Sequence, residues 1–213
     1  MRLDLYVVTD RKQAKGRSHH EVVEMALAGG ADVIQLRDKD MDDRGLLALA
    51  SDLRELTARM GALLIVNDRP DIALASNADG VHLGQDDMPV AAVRRILPPS
   101  MIVGASVGTV SEAVRAEEEG ASYVALSPVF STGSKDDAGP GRGLEMLSRM
   151  KDAVSIPVVA IGGIDGSNAA SVIEAGADGI AVISAVVSQD DIEASARSLR
   201  QIVAEAKRRA GRS

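Results

Sequence analysis

Four segments of this chain are built alike: GGADVIQLR (29–37), SNADGVHLG (76–84), EGASYVALS (119–127) and AGADGIAVIS (175–184). Each starts where apolar residues at three- and four-residue spacing stop, and each runs on into a short stretch of Val, Ile and Leu, so each marks a helix-to-strand junction. Gly29 or Gly30, Gly120 and Gly176 stand where a helix would end on a left-handed residue, and Asn77 tolerates the same conformation. Four more apolar runs lie between these junctions: LDLYVVT (3–9), ALLIVN (62–67), MIVGAS (101–106) and IPVVAIGG (156–163). That makes eight strands. The same periodicity predicts helices over 19–29, 43–60, 89–97, 110–119, 144–153, 167–175 and 190–209, with a short one of about two turns over 70–76. Thr109-Val110-Ser111-Glu112 has the form of a capping box. Ile192, Ala196, Leu199, Val203 and Ala206 would line one face of the last helix.

Strict alternation of strand and helix implies a parallel sheet, and nearly continuous apolar strands imply a sheet covered on both faces. Eight units in 213 residues favour one closed α/β barrel domain, a (β/α)8 TIM barrel spanning 1–213. The alternative, an open doubly wound sheet, lacks a GxGxxG after its first strand. In such a barrel the active site lies at the C-terminal ends of the strands. Composition narrows the chemistry. With 24 basic against 31 acidic residues, a net charge of -7 and three scattered aromatics, the chain has neither the basic face nor the stacking surface of a nucleic-acid binder. It has no cysteine, which excludes thiolate nucleophiles and thiolate metal sites. The start, MRLDLYVVTDRK, reads as a strand and not a signal peptide, and no apolar run reaches the roughly 18 residues of a membrane helix. A cytoplasmic protein without membrane partners is the expectation.

At the predicted strand ends stand Thr9-Asp10, then Gln35, Arg37 and Lys39, Asn67-Asp68, His82 with Gly84-Gln85-Asp86-Asp87, Ser106, Ser127, Gly162-Gly163 and Ile183-Ser184. Gln35, Arg37 and Lys39 share parity, so the first two should face the barrel axis and Lys39 should lie just beyond. Structural roles compete at each position. Arg37 and Lys39 are also suited to pair with Asp38, Asp40 or Asp68 as a rim. Asn67-Asp68 has the form of a turn and helix cap. One of Asp86 and Asp87 would cap the helix near Pro89, His82 reads as a hydrogen-bonded core histidine, and His19 and His20 as solvated residues at a helix start. Taken together, two cations, two carboxylates and several hydroxyl and amide groups on one rim fit magnesium with a polyphosphate. Mg²⁺ takes one or two carboxylates and leaves its other positions to water and phosphate oxygens. The glycines and serine after strands 7 and 8 fit a second, phosphate site. The segment 131–143 is too long and glycine-rich for a simple connector and is expected to be a lid, with Thr132, Ser134 and Lys135 suited to phosphate oxygens. No glutamate ends a strand, so the residues suit charge stabilisation better than proton abstraction.

QLRDKD (35–40), VNDRPDIAL (66–74), ADGVHLGQDDM (78–88), GAS (104–106), SPVFSTGSK (127–135), AIGGI (160–164) and ADGIAVISA (177–185), in this order along nearly the whole chain, resemble the thiamine-phosphate synthase family. The resemblance implies a transferase that joins an aminopyrimidine methyl diphosphate to a thiazole phosphate and releases diphosphate. It implies that Gln35, Arg37, Lys39, Asn67, Ser106 and Lys135 hold the pyrimidine diphosphate, and that Asp68 and Asp87 are the Mg²⁺ ligands. Thr132, Ser134, Gly163, Ile183 and Ser184 would hold the thiazole phosphate. Family members often carry threonine where Ser134 stands, which keeps the hydroxyl. Arg37, Lys39, Lys135 and Ser106 would bear on the reacting bond. A sister enzyme of similar fold, a thiazole tautomerase, uses a histidine in a Ser-Val-His setting, where this chain reads Ser106-Val107-Gly108. A sugar-phosphate isomerase would leave Asp68, Asp87 and the lid unexplained, and a non-catalytic phosphate sensor would be expected to have lost a metal carboxylate or lid cation. The partners implied are small molecules. The assembly is left open, with a homo-oligomer compatible.

Overall fold

The structure is a computed structural model, and it describes residues 1–132 and 140–212. Eight parallel strands, β1 (Leu5–Val8), β2 (Val33–Leu36), β3 (Leu63–Asn67), β4 (Gly80–Leu83), β5 (Ile102–Val107), β6 (Tyr123–Leu126), β7 (Val158–Ile161) and β8 (Gly179–Val182), close in sequence order into a barrel, with β8 pairing back onto β1. Around it lie α1 (His19–Ala28), α2 (Asp43–Met60), α3 (Pro70–Ala75), α4 (Val90–Ile96), α5 (Val110–Glu118), α6 (Gly143–Ala153), α7 (Ala169–Glu174), α8 (Ser184–Val187) and α9 (Ile192–Arg209). The expected closed barrel is thereby found, and the alternative of an open sheet is excluded. One difference from the expected elements is α8, whose four residues are too few to display a helical period. The apolar face of α9 is the expected one: Ile192, Ala196, Leu199, Val203 and Ala206 are all buried.

The helix ends follow their residue types. Gly30, Gly120, Gly176 and Asn77 all take positive φ after α1, α5, α7 and α3. The capping box at α5 is only half formed. Thr109 accepts from the Glu112 amide, but the Glu112 carboxylate turns to the Gly108 amide at 2.7 Å. A complete box stands at α1, between Ser18 and Glu21.

The repeated junction has a structural meaning at the N-terminal end of the barrel. Asp32, Asp79, Ser122 and Asp178 precede β2, β4, β6 and β8, and each side chain accepts a backbone N–H from the strand before: Leu5, Leu64, Val103 and Val158. A cation reaches each from the helix before that earlier strand or, for β1, from the last helix, α9. Arg54 of α2 meets Asp79, Arg94 of α4 donates to Ser122, Lys151 of α6 meets Asp178, and Arg200 of α9 meets Asp32. Four equivalent clamps therefore bind helix, odd strand and even strand, far from the end where chemistry is expected.

Inside the barrel, the chain's two tyrosines meet. Tyr6 and Tyr123 are fully buried, with ring centroids 6.1 Å apart and hydroxyls 2.9 Å apart. Gly104 makes room for Tyr123: a Cβ there would lie 2.2 Å from the ring.

Candidate active site

Beta-strand parity carries the polar groups of the C-terminal rim inward. Gln35 is buried, and its amide donates to the Asn67 side chain at 2.6 Å. Arg37 does not pair with Asp38, Asp40 or Asp68. Its guanidinium meets the buried Asp10 carboxylate at 2.5 Å. Asp10 also accepts the Lys12 and Gln13 amides, so one carboxylate fixes both the arginine and the loop after β1. Lys39 is exposed and forms no ion pair among the described residues.

Asp38, between them, points outward to His19. His19 is therefore not a solvated helix-start residue. It is buried, with its ring nitrogen 3.0 Å from the Asp38 carboxylate, because the β2–α2 loop folds over the start of α1. His20 is exposed as expected. Asp38 also accepts the amides of Asp40 and Met41, and so shapes the loop that carries Lys39. Burial alone would raise the Asp38 pKa. The His19 contact and these backbone donors outweigh it and hold the carboxyl below its ordinary value. A depressed folded-state pKa stabilises above the unfolded value and is lost as pH falls through the folded one. Comparing urea unfolding of the wild type and Asp38→Asn should therefore show the wild type losing its advantage below about pH 4. Parallel profiles from pH 6 to 2.5 would contradict this.

Asp68 follows β3 with φ of 62°, a conformation that costs most non-glycine residues energy. Its amide donates to the His82 carbonyl. It does not cap α3, whose N-cap is Arg69 without a side-chain cap bond. Nor does Asp86 or Asp87 cap α4, as the sequence suggested. Pro89 is the N-cap, and one Asp87 oxygen turns back to accept the Gly84 amide at 2.6 Å. The tight β4–α4 loop thus keeps the Asp87 carboxylate at the rim.

His82 is a buried, hydrogen-bonded histidine that also touches the site. Its Nδ1 lies 2.9 Å from the Tyr123 hydroxyl and its Nε2 2.9 Å from the Ser106 hydroxyl. Burial raises the pKa of both phenols, and the neighbouring Tyr123 raises that of Tyr6 further, so this chain of hydroxyls is neutral. Its fixed geometry orients Ser106.

Two cavities occupy the rim. One, of about 340 Å³, is lined by Arg37, Lys39, Asn67, Asp68, Asp87 and Ser106, together with His82, Gln85, Asp86, Glu112 and Arg142. The other, of about 590 Å³, is lined by Thr132, Gly163, Ile183 and Ser184 along with Gly162, Asp165 and Gln189. Ser127 and Pro128 line both, so the cavities adjoin. Of the residues singled out in the sequence, only Ser134 and Lys135, with the middle of the expected lid, lie outside the described residues. Gly162 and Gly163 take φ of 103° and 64° and pack so closely on Pro128 and Phe130 that added Cβ atoms would lie 2.5 and 2.8 Å away. These glycines therefore serve close packing as well as leaving the second cavity open. Asp10, Gln85, Glu112 and Arg142 are among the rim residues to which sequence reasoning gave no binding role. Asp10 had a visible signal, its place at the end of β1. Arg142 had none, standing beyond a glycine-rich segment.

Asp68 and Asp87 offer hard oxygen donors suited to Mg²⁺. The second Asp87 oxygen has no hydrogen bond among the described residues. No group of three or more metal-ligating side chains occurs among the described residues, and Mg²⁺ bound beside a diphosphate does not require one. Nor is any helix among them long and apolar enough to cross a membrane.

The sequence model of the thiamine monophosphate synthase family matches residues 5–186. A thiamine-phosphate synthase of Methanoculleus marisnigri is 61% identical over 207 residues, covering 97% of this chain and 98% of the relative. One of Methanocella arvoryzae is 56% identical over 205 residues, with 96% and 97% covered. The solved thiamine phosphate pyrophosphorylase of Pyrococcus furiosus superposes with a TM-score of 0.89 at 46% identity, covering 96% of each chain.

Proposed function

Because the chain belongs to the thiamine monophosphate synthase family, we propose that its two adjoining rim cavities divide the substrates of that reaction between them. The activity is thiamine-phosphate synthesis, the transfer of a pyrimidinylmethyl group from its diphosphate to a thiazole phosphate. One observation carries the assignment of sites: a cavity lined by both cations and carboxylates adjoins a cavity of glycine, serine and backbone, with Ser127 and Pro128 shared between them. The first suits 4-amino-2-methyl-5-(diphosphooxymethyl)pyrimidine. The second suits the monophosphate of 4-methyl-5-(2-phosphooxyethyl)thiazole or its 2-carboxy form.

In this reading Gln35 and Asn67 bind the pyrimidine end, and Ser106, oriented by His82, lies beside it. Arg37 and Lys39 take the diphosphate oxygens, with Lys135 joining them from the lid. Asp68 and Asp87 would hold Mg²⁺, which when bound neutralises part of the diphosphate charge. The carbon–oxygen bond of the pyrimidinylmethyl group breaks, and its electron pair leaves with diphosphate. The aminopyrimidine ring donates into the methylene carbon, giving a short-lived cation. The thiazole nitrogen, held by its phosphate at Thr132, Ser134, Gly163, Ile183 and Ser184, then supplies the pair for the new carbon–nitrogen bond. No protein nucleophile is needed, in keeping with the lack of cysteine and of strand-end glutamate.

The tautomerase reading needs an imidazole where Gly108 stands. There a Cβ would lie 2.9 Å from the Arg142 guanidinium. Purified protein given both substrates and Mg²⁺ should release diphosphate and form thiamine phosphate, with the thiazole phosphate consumed in step with the product. Diphosphate release with both substrates present but no thiamine phosphate formed, or no diphosphate released at all, would defeat the proposal.

A further inference from the structure

Building on the proposed diphosphate cavity, we infer that Arg142 is a substrate-binding residue whose guanidinium takes diphosphate oxygens opposite Arg37 and Lys39. Its position is fixed by backbone and not by an acidic partner. The Arg142 amide donates to the Pro128 carbonyl and the Gly143 amide to the Val129 carbonyl, both at 2.9 Å. Val129 and Phe130 are themselves anchored to Ile161 and Gly162 at the end of β7. Gly141 permits this close approach, since a Cβ there would lie 2.9 Å from Phe130 and Ser131 backbone atoms. The chain therefore delivers Arg142 to the cavity from a strapped segment, and its side chain extends across the start of α5. There Nη2, Cζ and Nε lie 2.9, 3.1 and 3.3 Å from where a Gly108 Cβ would be, so the missing side chain at 108 is the guanidinium's berth.

Charge gives the berth a purpose. Arg37 is matched by Asp10, and the same cavity exposes Asp68, Asp86, Asp87 and Glu112. A polyphosphate entering that field needs cations without carboxylate partners, and a guanidinium binds phosphate in a planar fork. Among the described residues Arg142 forms no ion pair and caps no helix with its side chain, while lining the cavity. A purely structural arginine would be expected to hold a carboxylate or a helix end.

The test is calorimetric titration with inorganic diphosphate, alongside steady-state kinetics, on wild type, Arg142→Ala and Arg142→Lys. One charge-assisted contact corresponds to roughly a tenfold or greater change in affinity. Diphosphate affinity and KM for the pyrimidine diphosphate should therefore worsen about tenfold or more in the alanine variant and partly recover in the lysine variant. KM for the thiazole phosphate and the melting temperature should hardly move. Unchanged diphosphate binding in Arg142→Ala overturns the inference, as does equal weakening toward both substrates. If the wild type binds inorganic diphosphate through Arg142 yet never couples the two substrates, the inference stands and the functional proposal falls.

Discussion

Asp68→Ala and Arg37→Ala are each expected to lower the rate of thiamine phosphate formation by roughly 10²–10³-fold, the loss of about 2.7–4 kcal/mol typical of one preorganised electrostatic group. Both residues line the cavity assigned to the departing diphosphate, and the proposed chemistry consists almost wholly of stabilising that charge. The controls differ because the surroundings differ. Asp68 sits at φ of 62°, which alanine tolerates poorly, so Asp68→Asn is the informative companion: asparagine accepts that backbone and removes only the charge. Removing Arg37 strands the buried Asp10 carboxylate, which destabilises the fold as well. Its activity must be read per folded molecule, and Asp10→Asn/Arg37→Ala should recover stability without recovering rate. Near-normal turnover in Asp68→Asn and Arg37→Ala would refute these roles.

Gly104→Ala should be severely destabilising, costing about 3 kcal/mol or more. The added Cβ would lie 2.2–2.5 Å from Cζ, the hydroxyl and Cε1 of Tyr123. Overpacking alone costs about 1–3 kcal/mol. The ring has nowhere to go, because it is fully buried, stacked on His82 with centroids 5.6 Å apart and bonded to Tyr6 and His82 through its hydroxyl. Displacing it breaks those bonds and leaves buried polar groups unpaired, at about 1–3 kcal/mol each. A domain stable by about 5–15 kcal/mol feels such a loss. Ser106 also loses its orienting histidine, so activity should fall in the molecules that remain folded. Gly166→Ala, where the nearest atom is 3.7 Å away, is the matched control and should stay within about 0.5 kcal/mol of wild type. A Gly104→Ala protein as resistant to urea as that control would show that the barrel centre yields more easily than its packing implies.

Much of this was legible in the sequence because it is periodic. Strand runs and helical spacing recur through eight units, glycine or asparagine with positive φ follows α1, α3, α5 and α7, and strand parity then decides which side chains reach the rim. Arg37, Asp68, Asp87 and Ser106 lie in one cavity for that reason. Partner choice was less legible. Asp10 is a better mate for Arg37 than its sequence neighbours because β1 and β2 are adjacent in the barrel. Asp38 faces away from Arg37 and finds His19 across the loop. Helix caps failed where a loop offered the same carboxylate another amide, as Gly84 does for Asp87 and Gly108 for Glu112. Arg142 was invisible because its place depends on how its own amide and that of Gly143 strap the chain to Pro128 and Val129.

The clamps at the opposite end of the barrel bear on how the chain reaches this state. Three of them join neighbours in sequence and can close soon after synthesis. The fourth fastens β1 through Arg200 and Lys207 of α9, and Lys207 and Asp4 are 203 residues apart. The opening strand must therefore wait, unfastened, until the closing helix arrives. Ribosome-bound intermediates should carry three finished quarters and a loose first one.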